Sequence, residues 1–299
     1  MRVLVYGAGV IGCLYAALLS ESGVDVTVYA RGARLESLRT QGLRHTQGES
    51  IRKALVKAIG ALDPDDSYDY VFLTVKENQV RTALAELSRN VSPTIVTMVN
   101  SLDPYETWED ICGAGRILPA FPGAGGGFEN DVLHASLTPR LVQPTTFGEI
   151  SGASTARLTQ LAHMFRNARI PYQIVRDMRA WQICHLAMVV PIADAYYEAA
   201  DPAHAGRDRK LMRTCASRIK TNFKALRSVG IRLTPAKMNL FAVLPSGLVA
   251  PILGRVFESR FGDVFMYRHS MKAPDEMREL HDGFYAYIEQ ARTTGKTAE

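Results

Sequence analysis

The hexapeptide Gly7-Ala8-Gly9-Val10-Ile11-Gly12, placed directly after the apolar run Arg2–Tyr6, constrains this chain more than any other feature. Three glycines at this spacing suit a turn that leaves a strand and enters a helix at once. Gly7 permits the tight turn, Gly9 lets backbone approach a ligand, and Gly12 lets the helix pack closely on the strand. The helix that opens here offers unpaired N–H groups and a partial positive charge, which suit phosphate. By itself the motif is weak. A helical stretch ending near Gly23 and an alternating strand at Asp25–Tyr29 follow it, and together these predict a βαβ unit that binds a dinucleotide.

Alternation of strand and helix then continues. Ala54–Ile59, Tyr70–Val75, Thr94–Val99 and Arg116–Ala120 read as strands, separated by segments of helical composition such as Val80–Leu87. This pattern predicts an α/β fold, a Rossmann-type parallel sheet with helices on both faces. A later pair, Arg140–Gln143 and Thr145–Gly148, joined at Pro144, is expected to close one edge. Ser154–Ala168 carries Leu158, Leu161, Ala162 and Phe165 at helical spacing. After Ile170-Pro171 the strand signal disappears. Asp177–Ala200, His204–Val229, Pro235–Leu244, Ser246–Phe261 and Pro274–Arg292 all read as helices. The expected division is a dinucleotide-binding domain over 1–170 and an all-helical C-terminal domain over 171–299, assigned to substrate binding and dimerisation.

Composition narrows the function. The chain has 299 residues, 47% hydrophobic and 22% charged, enough for two cores. A net charge of +5 is too diffuse to argue for nucleic acid. No stretch approaches the ~20 apolar residues of a membrane helix, and the N-terminus enters a strand without a signal-peptide pattern. Cys13, Cys112, Cys184 and Cys215 lie far apart with no C-x-x-C pair, so reduced thiols in the cytoplasm are expected. His134, His163, His204, His269 and His281 show no metal-ligand spacing, and no metal is expected.

Which dinucleotide binds depends on the end of the second strand. It reads Tyr29-Ala30-Arg31-Gly32-Ala33-Arg34, with no carboxylate before Glu36 to accept from a ribose 2′-hydroxyl. Arg31 suits a 2′-phosphate, with Arg34 assisting, and NADPH/NADP+ is favoured. In such sheets ligands bind beyond the carboxyl ends of the strands. That rule selects Lys76, to hold a phosphate, a ribose or a substrate carboxylate, and Asn100, to fix the nicotinamide side. It also selects the run Pro122–Gly127, which either lets backbone approach the cofactor or forms a mobile lid.

GAGVIG at the start, Arg31, TVKENQV around Lys76 and the Asn100 strand end together resemble the ketopantoate reductase (2-dehydropantoate 2-reductase) family. The resemblance implies an NADPH-dependent reduction of the 2-oxo group of ketopantoate, on the way to coenzyme A. It also implies cofactor contacts from Gly7, Ala8, Gly9, Val10, Ile11, Gly12, Arg31, Lys76 and Asn100, and a backbone contact at Ala124 or Gly125. Glu276 stands near a family glutamate close to the cofactor. The family carries a lysine proton donor in a K-L-x-x-N-x-x-x-N-P pattern. The corresponding stretch here places His185 at the lysine and Val189 and Ala193 at the two asparagines. The small-molecule carbonyl substrate is therefore open, with imines and larger ketones as alternatives.

Ketone reduction needs a donor that stabilises the developing alkoxide and delivers a proton. Histidine can do both, because its unperturbed pKa lies near working pH. Against that stands the plainer reading of His185 as a satisfied interior residue, with Pro191 only bending a packed helix by freeing the carbonyl of Ala187. The basic run from Arg207 to Lys224 reads as a solvated face. A non-catalytic NADP(H)-binding sensor is the alternative from another class. A homodimer is compatible with the helical half.

Overall fold

The computed structural model describes residues 1–272 and 274–296, which fall into two compact units, Met1–Met178 and Arg179–Glu299. The first unit is built on β1 (Arg2–Tyr6), α1 (Val10–Glu21), β2 (Asp25–Tyr29), α2 (Gly32–Thr40), β3 (Leu43–Gln47), β4 (Ser50–Ala54), β5 (Lys57–Ile59) and β6 (Tyr70–Leu73). It continues with α3 (Val80–Leu87), β7 (Ile95–Met98), α4 (Tyr105–Cys112), β8 (Ile117–Phe121), β9 (Ala124–Glu129), β10 (Val132–Leu137), β11 (Thr145–Phe147), α5 (Ala156–Asn167) and β12 (Tyr172–Ile174).

Eight strands form one sheet in the order β12-β11-β8-β7-β6-β1-β2-β5. Every pairing is parallel except β11 with β8. The central strands β6 and β7 are buried along their whole length, as continuous Val/Ile/Leu/Phe runs require when both faces are covered. Strand order reverses at β1, which pairs with β2 on one side and β6 on the other. That reversal opens a crevice at the carboxyl ends of the strands. The fold is the expected Rossmann-type α/β arrangement.

Several local expectations are corrected. The segment Ala54–Ile59 is not one strand: β4 ends at Ala54 and β5 begins at Lys57. Arg140–Gln143 forms a turn, so only β11 of that pair exists, seated between β8 and β12. β12 itself lies beyond Ile170-Pro171, where the strand signal was read as lost, and its three residues are too short to show alternation. A second sheet, β4-β3-β10-β9, is absent from the sequence reading. Its β9 is the glycine run. The segment is therefore a paired strand, Leu137 opposite Ala124 and Ser136 opposite Gly125, and not a lid.

Two half-buried arginines join these elements. Arg116 donates to the carbonyls of Leu87 at 3.1 Å and Cys112 at 2.6 Å, so one cation closes the C-terminal ends of both α3 and α4. Arg157, in the first turn of α5, grips the buried Glu149 carboxylate with Nε at 2.8 Å and Nη2 at 2.5 Å. Burial pushes the Glu149 carboxyl upward, but hydrogen bonds from Arg157 and Thr155 and the arginine charge outweigh it and hold it below its ordinary value. The unfolded chain therefore takes up this proton first on acidification. Glu149 contributes stability above pH ~4.3 that is lost as pH falls through its lower folded value. Arg157→Leu leaves the carboxylate without its charge partner and is expected to cost about 3 kcal/mol at neutral pH. Urea midpoints measured from pH 7 to pH 3 check both statements, because the gap between wild type and variant should narrow as the pH falls.

The second unit is helical: α6 (Met178–Glu198), α7 (Arg209–Ser228), α8 (Met238–Val243), α9 (Ser246–Phe257), α10 (Arg268–Lys272) and α11 (Pro274–Lys296). The expected helix His204–Val229 is split at Asp208, whose carboxylate caps α7 by accepting from Lys210 and Leu211. Pro235 does not start a helix; α8 begins at Met238. Between Ala180 and Tyr196, α6 is buried at every position except Met188, Val189 and Asp194, as expected of a helix apolar on all sides. Pro191 does not break it. The carbonyl of Ala187, which loses its helical donor to the proline, accepts instead from the buried amide of Asn222 on α7 at 3.2 Å. No helix among the described residues is long and apolar enough to cross a membrane.

Candidate functional site

The glycine turn shows which of its residues serve the fold and which serve a ligand. Gly7 has φ +120, and a Cβ there would lie 3.0 Å from the backbone of Thr74. A Cβ on Gly12 would lie 2.0 Å from the Gly7 carbonyl oxygen. Those two glycines are demanded by the chain itself. Gly9 is different: its φ is −76 and a Cβ would meet nothing within 4 Å. No atom of the described residues requires a glycine there. Gly9 is also the N-cap of α1 and provides no side-chain cap. The amides of Val10, Ile11 and Gly12 therefore open the helix without intrahelical acceptors, a cradle for an anion. Thr74 Oγ1 donates to the Gly7 carbonyl at 2.8 Å and holds the turn from the neighbouring strand.

Lys76 and Asn100 stand at equivalent heights, each three residues beyond the register pair Leu73–Thr97 of β6 and β7. The next residues tie the two loops together, since Ser101 Oγ donates to Glu77 Oε1 at 3.3 Å. Lys76 is exposed and makes no ion pair among the described residues. Asn100 Oδ1 is buried and has no hydrogen-bond partner among the described residues. An orphaned buried acceptor is costly, and a carboxamide N–H such as that of nicotinamide would satisfy it. The sheet order sets Gly7–Gly12, Arg31, Lys76 and Asn100 along one rim, at the ends of β1, β2, β6 and β7, and Ala124 follows the end of the neighbouring β8. A dinucleotide fits these residues.

At the β2 end of the rim, Tyr29, Arg31, Gly60, Thr82, Glu86 and Arg89 border a cavity of about 560 Å³. Tyr6 and Tyr29 stack at 4.4 Å. Arg31 donates from Nε to the Tyr29 hydroxyl at 2.9 Å and from Nη2 to Glu86 at 2.5 Å. Burial, and then the hydrogen bond to Glu86, push the Tyr6 phenol far above its ordinary range. Arg34 does not assist at this place. Its guanidinium lies 4.1 Å over the Phe128 ring, donates to Cys13 Sγ and faces Asp131, which commits it to the β9–β10 hairpin. Burial pushes the Cys13 thiol up, so it is a packing residue and not a ready thiolate.

In the second unit, His185 is 7% exposed and stacks face to face on Trp181, one turn earlier on α6, at 5.3 Å and 6°. Met188 and Val189, three and four positions on, are the half-buried residues of that face. Glu276 lies in the first turn of α11, and Ser270 is buried on α10. The opposite face of α6 carries a cluster that periodicity did not reveal. His281 Nδ1 lies 3.0 Å from Asp194 Oδ1, and Arg218 bonds Glu198 at 2.6 Å, around a cavity of about 320 Å³. Three of the basic-run residues are structural tethers: Arg207 pairs with Glu258, Arg218 with Glu198, and Lys220 binds the carbonyls of Val243 and Leu244.

Residues 3–151 match the family described as ketopantoate reductase PanE/ApbA. The chain is 27% identical over 201 residues to a 2-dehydropantoate 2-reductase of Mesorhizobium japonicum, covering 60% of this chain and 61% of that protein. The chain thus spans about three fifths of the length of the curated relatives it matches first. Among solved structures, 2-dehydropantoate 2-reductase from Geobacter metallireducens aligns with a TM-score of 0.65 at 19% identity, over 98% of this chain and 100% of the other. D-mandelate dehydrogenase with NADH and anilino(oxo)acetate aligns with a TM-score of 0.65 at 14% identity, over 98% and 99% of the two chains. At these identities the structural matches speak for the fold.

Proposed function

We propose, from the premise that this chain belongs to the ketopantoate reductase family through its residues 3–151, that it is an NADPH-dependent reductase of ketopantoate or a related 2-oxo acid. The observation that carries the cofactor half is Gly9, a glycine that the protein's own packing does not need. When bound, the reduced nicotinamide supplies the hydride. The chain's own residues do the rest. The amides opening α1 hold the pyrophosphate, Arg31 holds the adenosine 2′ side, and Asn100 Oδ1 accepts from the carboxamide and so sets which face of the ring is presented. Lys76, an unpaired cation at the same rim, takes a ribose oxygen or the substrate carboxylate. An imidazole N–H of His185 stabilises the developing alkoxide and passes it a proton. Glu276 is assigned to the cofactor, as the family resemblance implies.

The test is NADPH oxidation by the purified protein with ketopantoate, and then with a panel of 2-oxo acids. The panel includes an aryl-substituted member, because Val189 and Ala193 stand where the family pattern has asparagines. The expected result is turnover with at least one of these acids. Tight NADPH binding without turnover on any of them would overturn the reductase reading and leave a nucleotide-binding sensor.

A further inference from the structure

At the end of β2 the sequence offers no acid before Glu36, yet the folded chain places a carboxylate there. Glu86 arrives from α3, 55 positions from Arg31, and its Oε2 lies 2.5 Å from Arg31 Nη2. The same oxygen accepts from the Tyr6 hydroxyl at 2.5 Å. Arg31 is further held by Tyr29 at 2.9 Å and reaches Tyr6 at 3.2 Å, while its Nη1 has no partner among the described residues. The pair borders the cavity of about 560 Å³ described above, with Arg89 as a second cation.

We propose that Glu86 sets the preference between phosphorylated and unphosphorylated dinucleotide, and that the Glu86–Arg31 pair lets this chain use NADH as well as NADPH. This rests on the cofactor reading above. Any group that Arg31 holds through Nη1 lies within roughly 8 Å of the Glu86 carboxylate, two hydrogen bonds plus the span between the two terminal guanidinium nitrogens. A 2′-phosphate therefore meets an arginine whose charge is already answered, beside an anion that repels it. A 2′-hydroxyl meets no such penalty: it donates to Glu86, as a ribose does to the acid of an NAD site, and accepts from Arg31 Nη1. A neutral glutamine could accept from Tyr6 and Arg31 through the same oxygen. What the carboxylate adds is its charge.

Nicotinamide fluorescence titrations with NADPH and with NADH, on wild type, Glu86→Gln and Arg31→Ala, test this. Wild type is expected to bind the two within about tenfold of each other, and Glu86→Gln to shift the ratio at least tenfold toward NADPH, a change of about 1.4 kcal/mol. Arg31→Ala should weaken NADPH more than NADH. Thermal melts of the free proteins check that both variants fold. A ratio unmoved by Glu86→Gln, or moved toward NADH, overturns the role of Glu86, and a wild type that rejects NADH by more than a hundredfold overturns the dual use. If wild type binds neither nucleotide, the cofactor reading falls and this inference falls with it. If both bind and the ratio stays put, only this inference falls.

Discussion

Gly9→Asp is expected to abolish dinucleotide binding while leaving the fold at least as stable. Its backbone, at φ −76 and ψ −172, is open to any residue, and its Cβ would meet no protein atom. Aspartate is among the best N-cap residues, and α1 has no side-chain cap, so the helix should gain roughly 0.5 kcal/mol. The same carboxylate would stand where a pyrophosphate is held. Two like charges ~4 Å apart repel by about 4 kcal/mol at the effective dielectric of a protein surface, close to a thousandfold in affinity. The expected outcome is a melting temperature equal to or above wild type, together with an NADPH dissociation constant raised at least about a hundredfold. Gly12→Ala makes the contrast. Its Cβ would overlap the Gly7 carbonyl, so stability and binding should fall together. Unchanged NADPH affinity in Gly9→Asp would refute the placement of the pyrophosphate.

His185→Ala is expected to lower kcat about 10²- to 10⁴-fold on whichever 2-oxo acid is turned over, with NADPH affinity within about twofold of wild type. Binding and chemistry should separate because the residues proposed to hold the pyrophosphate and the adenosine 2′ side belong to the first unit and His185 to the second. The pH profile distinguishes a proton donor from a packing residue. A histidine that must be protonated gives a rate that falls as pH rises through its pKa. His185→Lys, which restores the family's donor, should move that limb upward by several pH units, toward the lysine range. A packing role for the ring stacked on Trp181 predicts otherwise: a lowered melting temperature in both variants and a pH profile with the same limb in all three proteins. That result would return His185 to the core and send the search for a donor elsewhere.

The parts of this protein legible in its sequence are those with a local cause. Strands β6 and β7 announce themselves as short apolar runs because both of their faces are buried. Helix α6 is legible by length and hydrophobicity, and Pro191 tells in advance which carbonyl it releases. What receives that carbonyl, Asn222, sits 35 residues away on another helix, and nothing in either segment points to it. The β3–β4 hairpin is hidden because its buried positions carry little apolar signal: β3 buries Leu43 and His45 among polar neighbours, and β4 is exposed except at Ala54. The glycine run carries no strand signal, because glycine disfavours strands. It forms one because a Cβ at Gly126 would lie 2.2 Å from the His134 carbonyl of the partner strand, a backbone approach that only glycine allows.

The candidate site divides in the same way. The turn from Gly7 to Gly12, Arg31, Lys76 and Asn100 could be placed without coordinates, because a parallel sheet brings its strand ends to one rim and the chain order says which residues stand there. Thr74 under the turn, Arg34 on the hairpin and Glu86 against Arg31 could not be, since a polar residue on a helix or beyond a strand carries no periodic mark of its partner. By itself the sequence determined that the chain opens with a βαβ unit turned at Gly7–Gly12, because the positive φ of Gly7 and the contact of Gly12 with the Gly7 carbonyl are local and steric. Only the tertiary structure decided what charge surrounds Arg31, because that depends on a carboxylate 55 residues away whose position follows from the packing of α3 and from nothing in its own segment.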